Sequence, residues 1–315
     1  MNDASSASAE ADSGALLSRV LTQINRIILG KNQQVELALS CLLARGHLLI
    51  EDLPGLGKTV LAQALGRSLG LSYQRVQCTS DLLPGDILGC SVFDRNRSEF
   101  VFSQGPVFTQ LLLADEINRA TPKCQSALLE AMEERQVSVE GQARALPEPF
   151  FVIATQNPVE QNGTFPLPES ELDRFLLRLS MGYPGREAEL ELLRGEDRRT
   201  LLETIEPVTG PQQLLDLQNQ VRAVESSDAV LDYLHRLLEY TRRSEHFQTG
   251  LSTRAGLGLL RAAQAWALLH GERMLLPGDI QQVFPALAGH RLVPLAARPD
   301  AARIGEDILA QVPID

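Results

Sequence analysis

Across residues 15–45 apolar side chains recur every three or four positions, at Leu17, Val20, Leu21, Ile24, Ile27 and Ile28 and again at Val35, Leu37, Ala38, Cys41 and Leu42. That spacing lays one stripe along a helix, and the break at Gly30-Lys31 predicts two helices joined by a tight loop. The period then changes. Residues 46–51 form a short apolar run that reads as a buried strand, Asp52-Leu53-Pro54-Gly55-Leu56-Gly57 reads as a loop, and 58–69 returns to helical spacing. Further apolar runs at 73–77, 110–114, 150–155 and 175–179, with helical stretches between some of them, predict a parallel sheet flanked by helices, an α/β fold.

Two segments depart from this alternation. Residues 87–93 and 99–102 flank the polar Asp94-Arg95-Asn96-Arg97-Ser98 and predict an inserted β-hairpin, and 137–144 predict a second. The helix between them has Thr121 as its N-cap, Pro122 in its first turn and an apolar face of Ala127, Leu128, Ala131 and Met132, and it ends near Glu134. After Gly185 the strand signal nearly vanishes, and 212–221, 229–243, 254–270 and 277–287 read as amphipathic helices. The expected division is a disordered tail over 1–14, an α/β domain over 15–185, a linker and helix over 186–210, and a smaller all-helical domain over 211–315. No internal repeat is evident.

Composition narrows the picture. A chain of 315 residues that is 44% hydrophobic and 22% charged can bury two cores, and with only 5% aromatics those cores must be largely aliphatic. The net charge of −11 disfavours nucleic acid and anionic membrane as general partners. No run approaches the roughly 18 apolar residues of a membrane span, so direct membrane insertion is not expected. The four cysteines, Cys41, Cys78, Cys90 and Cys124, form no C-x-x-C pair and suit reduced, mostly packed thiols in a cytoplasmic protein. The five histidines form no cluster.

The chemistry concentrates in two places. Gly55-Leu56-Gly57-Lys58-Thr59, after a strand and before a helix, is a phosphate-binding loop: glycines let backbone N–H groups approach phosphates at a positive helix end. Lys58 then contacts the β- and γ-phosphates, Thr59 ligates Mg2+, and Asp52, Pro54, Gly55, Leu56, Gly57 and Val60 complete the nucleotide-binding set. The full G-x-x-x-x-G-K-[ST] pattern wants glycine where this chain has Asp52. The second place is Leu111-Leu112-Leu113-Ala114-Asp115-Glu116, two carboxylates just past an apolar strand. Asp115 suits the Mg2+ shell and Glu116 suits activation of the attacking water. Loop and acidic pair are expected on adjoining strands, facing one triphosphate.

Those motifs, with Asp81-Leu82-Leu83-Pro84-Gly85-Asp86-Ile87, Gly105-Pro106-Val107-Phe108, Ala114-Asp115-Glu116-Ile117-Asn118-Arg119-Ala120, Gln156-Asn157-Pro158, Gly163-Thr164-Phe165-Pro166-Leu167-Pro168-Glu169 and Leu172-Asp173-Arg174-Phe175, resemble the MoxR family of AAA+ ATPases. The resemblance implies an AAA+ core with a helical lid, and ATP hydrolysis with ATP and Mg2+ at the site. It makes Asn157 the sensor 1 residue near the γ-phosphate and Arg174 the arginine finger given to a neighbouring subunit. It makes Arg254 the sensor 2 residue reaching the nucleotide of its own subunit, although on the residues alone Arg254 is an ordinary first-turn position. It also implies a homo-oligomer, a hexameric ring, that remodels or matures a client protein complex. Metal or cofactor insertion and a separate partner carrying a von Willebrand factor A (VWA) domain belong to the same expectation, with the 87–102 hairpin as the element touching substrate. Two alternatives stay open: a nucleic-acid motor, and a nucleotide-dependent scaffold with negligible turnover.

Overall fold

The computed structural model describes residues 3–158, 163–195, 198–295 and 303–314, with the side chains of 3–12 and of Arg199 excepted. Two helices open the chain, α1 (Asp3–Ile27) and α2 (Asn32–Leu43), followed by β1 (Leu48–Glu51), α3 (Lys58–Ser68), β2 (Tyr73–Gln77) and α4 (Pro84–Leu88). The first hairpin is β3 (Gly89–Asp94) and β4 (Glu99–Gln104). Then come β5 (Leu111–Asp115), a 3-10 turn (Ile117–Arg119), α5 (Pro122–Glu134), the second hairpin of β6 (Gln136–Val139) and β7 (Gln142–Ala145), β8 (Phe151–Gln156), α6 (Glu169–Leu172) and β9 (Leu177–Leu179). The rest is helical: α7 (Arg186–Arg194), α8 (Arg198–Glu203), α9 (Pro211–Val221), α10 (Asp228–Arg243), α11 (Thr253–Leu269), α12 (Pro277–Ala288) and α13 (Ile304–Gln311). Among the described residues no helix is long and apolar enough to cross a membrane.

The five sheet strands run in the order β2-β5-β8-β1-β9, and each neighbouring pair is parallel. Strand residues alternate between two cores, as the two-residue pleat demands. Leu48, Ile50, Leu111, Leu113, Phe151 and Ile153 join α1, α2, α3 and the carboxyl-terminal helices in one continuous core. Leu49, Leu112, Ala114, Val152 and Ala154 face α5 on the other side. With both faces covered, β5 is buried along its whole length, which explains why it reads as an unbroken apolar run.

The hairpins stand outside the sheet. In the first, Phe93 pairs with Phe100 and Val92 with Val101, antiparallel, and the two phenyl rings meet edge to face with centroids 5.3 Å apart. A Cβ on Gly105 would strike the backbone of Ile87 and Gly89, so glycine is required where the returning strand crosses the hairpin root. The second hairpin braces the first: the Ser91 hydroxyl donates to Glu140 Oε2 at 2.6 Å, and the Arg144 guanidinium lies 4.0 Å from the Phe102 ring centre.

Some local expectations differ from the structure. The backbone is helical from Asp3, inside the stretch expected to be a disordered tail, since its Ala and Glu residues are good helix formers and no proline interrupts them; Met1 and Asn2 lie outside the described residues. Helix α13 was not legible as a helix, because its eight residues give too few turns for a period. It packs through Ile304 and Ile308.

Candidate functional site

The loop between β1 and α3 is shaped to receive an anion. Gly55 and Gly57 both adopt φ 84°, which side-chain-bearing residues rarely hold, and a Cβ on either would face open space beyond the adjoining residues. Gly57 caps α3, so unpaired N–H groups and the positive end of the helix face the same hollow. Lys58 is buried, its ammonium donating to the Asp52 carbonyl at 2.5 Å. Burial pulls its pKa down, while the carboxylates of Asp52, Asp115 and Glu116 push it back up, so the lysine shares an electrostatic neighbourhood with the acidic pair.

Asp52, the departure from the glycine pattern, is an anchor. Its Oδ1 accepts from Leu53 N at 2.8 Å; its Oδ2 accepts from Gly182 N at 2.6 Å and the Ser180 hydroxyl at 3.0 Å. A carboxylate here ties the loop to the chain leaving β9, a constraint that glycine could not supply.

The acidic pair lies at the same edge of the sheet, but not on a strand adjoining β1. β8 stands between β5 and β1, pairing Ala154 with Ala114 on one side and Thr155 with Ile50 on the other. This corrects the expectation of neighbouring strands, and it adds a residue: the Thr155 hydroxyl donates to Asp115 Oδ1 at 2.5 Å and accepts from Glu116 N at 2.9 Å. Asn157, buried, follows β8 directly. Asp115 Oδ2 accepts from Arg75 Nη2 at 2.7 Å and Nε at 3.1 Å. Glu116 sits at φ 58°, its Oε2 accepting from Gln77 Nε2 at 2.8 Å and lying 3.2 Å from Arg119 Nε. Arg75 and Gln77 are alternate residues of β2, so both point the same way across to β5. The oxygen ligands offered by Thr59 and Asp115 suit Mg2+, which takes few protein ligands and completes its shell with phosphate and water oxygens.

The two arginines occupy the other end of the strands. β9 pairs parallel to β1 with Leu177 opposite Leu48, so Arg174 precedes the amino end of β9 while the phosphate loop leaves the carboxyl end of β1. The four residues of β1 separate the two ends by about 13 Å. Arg254, in the first turn of α11, is with Arg174: Glu133 of α5 lies 3.1 Å from Arg174 Nε and 2.9 Å from Arg254 Nη1. All three line a cavity of about 340 Å3, together with Gly46, His47 and Arg291. Arg254 therefore does not join the loop of its own chain as expected. The cause is the docking of α11, whose Ala255, Leu259 and Ala262 are buried in the larger core and whose Gly258 faces Leu176 at the entry to β9.

The main chain around Arg174 is held by Arg291, whose side chain is 8% exposed. Its Nε donates to Asp173 Oδ1 at 2.6 Å, its Nη2 to the carbonyls of Asp173 at 3.1 Å and Phe175 at 2.7 Å, and its Nη1 to that of Leu176 at 3.0 Å. Burial lowers the Arg291 pKa and Asp173 opposes it. His47 at the base of the cavity is structural: Val152 N donates to its Nδ1 at 3.0 Å, its Nε2 meets the Met132 carbonyl at 3.2 Å, and burial pushes its pKa down to about 4.

Sequence reasoning overlooked Arg75, Gln77, Thr155, Glu133 and Arg291. For Arg75 and Gln77 a signal existed, two polar residues at alternate positions of a strand; Glu133 reads as the solvent face of an amphipathic helix and gives none.

Comparison with known proteins agrees with this fold. The family described as ATPase family associated with various cellular activities (AAA) matches residues 47–177, and an AAA lid domain matches residues 239–312. The uncharacterised YeaC of Bacillus subtilis is 45% identical, covering 88% of this chain and 87% of YeaC. Chaperone MoxR1 of Mycobacterium tuberculosis is 40% identical, covering 88% and 75%, and the MoxR protein of Paracoccus denitrificans 31%, covering 85% and 86%. A crystal structure of a candidate ATPase from Cytophaga hutchinsonii superposes with TM-score 0.87 at 32% identity, over 99% of this chain and 98% of that one. With a parallel sheet of the AAA type, a helical lid and relatives bearing the MoxR name along most of its length, the chain belongs to the MoxR family of AAA+ ATPases.

Proposed function

We propose that the chain binds and hydrolyses ATP, with each catalytic centre completed by a second copy. The carrying observation is the separation of parts: Lys58, Asp115, Glu116 and Asn157 gather at the carboxyl edge of the sheet, whereas Arg174 and Arg254 gather beyond the amino edge. Arginines placed there serve a nucleotide on an adjacent subunit. The loop N–H groups, Lys58 and Arg254 of the next copy hold the triphosphate. Glu116 takes a proton from the attacking water, Asn157 orients that water, and Arg174 from the next copy neutralises charge that grows on the transferred phosphoryl group. Thr59 and Asp115 would hold Mg2+, which would supply further charge neutralisation at the phosphates.

Closure of such heterologous contacts gives a ring, a hexamer in this reading. Hydrolysis moves lid against core to remodel a client protein complex, in the chaperone role that the name of the mycobacterial relative carries. A VWA-domain protein is the expected partner, and metal or cofactor insertion one form of the maturation. The first hairpin is the contact to the client: Phe93, Phe100 and Val92 are 49%, 73% and 53% exposed on an element braced at its root. Arg174→Ala tests this reading. Loss of hydrolysis with retained ATP binding and ring assembly is expected; a wild-type rate in normal rings refutes it.

A further inference from the structure

We propose that Glu133 is a positioning residue that sets Arg174 of the core and Arg254 of the lid side by side, so that they enter the adjacent nucleotide site as one unit. This rests on the reading that both arginines act on the next subunit. Each oxygen of one carboxylate serves one arginine: Oε2 stands 3.1 Å from Arg174 Nε, and Oε1 stands 2.9 Å from Arg254 Nη1. Pairing through Nε leaves both terminal nitrogens of Arg174 for phosphate oxygens, the edge a bidentate phosphate contact uses.

Among the described residues, only the two arginines pair with this acid. Glu133 lies in the last turn of α5, where the helix dipole disfavours a negative charge. Its side chain is 35% exposed, so packing does not require it, and ion pairs this open add little stability. Two guanidinium groups converging on one spot do require it, because their mutual repulsion would splay the more open side chain of Arg254, 58% exposed, away from Arg174, 28% exposed.

The lid thereby grips the finger twice. Arg291, following α12, fixes the main chain on both sides of Arg174, and Arg254, opening α11, is joined to its side chain through Glu133. A displacement of the lid is carried into the site of the next subunit.

The test compares Glu133→Gln and Glu133→Ala in the full chain, alone and combined with Arg174→Ala plus Arg254→Ala, by steady-state ATP hydrolysis and by sizing of the assembly in ATP. The expected result is kcat lower by about tenfold, because Arg174 acts on charge formed in the transition state, a smaller rise in KM for ATP through the misplaced Arg254, and rings unchanged. In the background lacking both arginines the Glu133 substitutions have no further effect. Wild-type kcat, loss of rings, or an undiminished loss in that background overturns the proposal. A wild-type rate for Arg174→Ala alone overturns the underlying reading as well, whereas an inactive Arg174→Ala beside a fully active Glu133→Gln overturns this inference only.

Discussion

In the proposed mechanism Lys58 holds phosphate and Glu116 activates water, and single substitutions separate the two tasks. Glu116→Gln keeps an oxygen that can accept from Gln77 while removing the base, so nucleotide binding persists and hydrolysis falls at least about 100-fold, as measured by phosphate release beside equilibrium binding of a fluorescent ATP analogue. Lys58→Ala loses both signals, because the buried ammonium is the loop's only full positive charge against the triphosphate. The histidines make a separate prediction. His47 is held neutral with a pKa of about 4, and burial together with Arg291 holds His290 well below its usual value. In the unfolded chain both titrate near 6.5, so the unfolded state binds more protons as pH falls through that value. Stability is complete above about pH 6.5 and declines towards pH 4, His47 alone accounting for about 3 kcal/mol across that window. Urea unfolding at pH 7.0, 6.0 and 5.5 measures it: the loss precedes carboxylate titration and is shallower by nearly one proton in His47→Gln.

At the scale of elements, the strands and the two hairpins were legible because their periods are short and bounded by glycines and polar turns. β5 announces itself through Leu111-Leu112-Leu113-Ala114, a run that only a strand covered on both faces requires. Strand order was not legible: an apolar run does not name its neighbours, so the place of β8 between β5 and β1, and with it the part played by Thr155, needed the three-dimensional register. The position of Arg254 failed for a related reason. Its helix was legible from the spacing of Ala255, Leu259 and Ala262, but which end of the core that stripe docks against is set by packing on α2 and on Leu176 before β9 that no single helix records. The hairpin root offers an element-scale test. Gly105→Ala pushes a methyl group into the backbone of Ile87 and Gly89 and is expected to cost about 1–3 kcal/mol by thermal or chemical unfolding. Substitution of Phe93 and Phe100 by serine, on the open face, is expected to change stability by less than about 1 kcal/mol while abolishing client capture on a Glu116→Gln trap.

For the whole molecule, the decisive feature is that the phosphate loop and the two arginines stand at opposite ends of the same sheet, so in the proposed mechanism one chain carries the parts of two different half-sites. In the proposed mechanism an assembly is a condition of turnover, and the lid, clamped to the 173–175 segment through Arg291, would link the state of one site to the next. Complementation between two inactive proteins measures this directly. Lys58→Ala subunits keep their arginines and Arg174→Ala subunits keep their loop and carboxylates. Each alone is expected to hydrolyse ATP at least about 100-fold more slowly than wild type. An equal mixture, allowed to exchange subunits, is expected to recover about one quarter of the wild-type rate, the share of junctions that join an intact loop to an intact finger. No recovery in mixed rings, or full activity of Arg174→Ala on its own, would contradict the account.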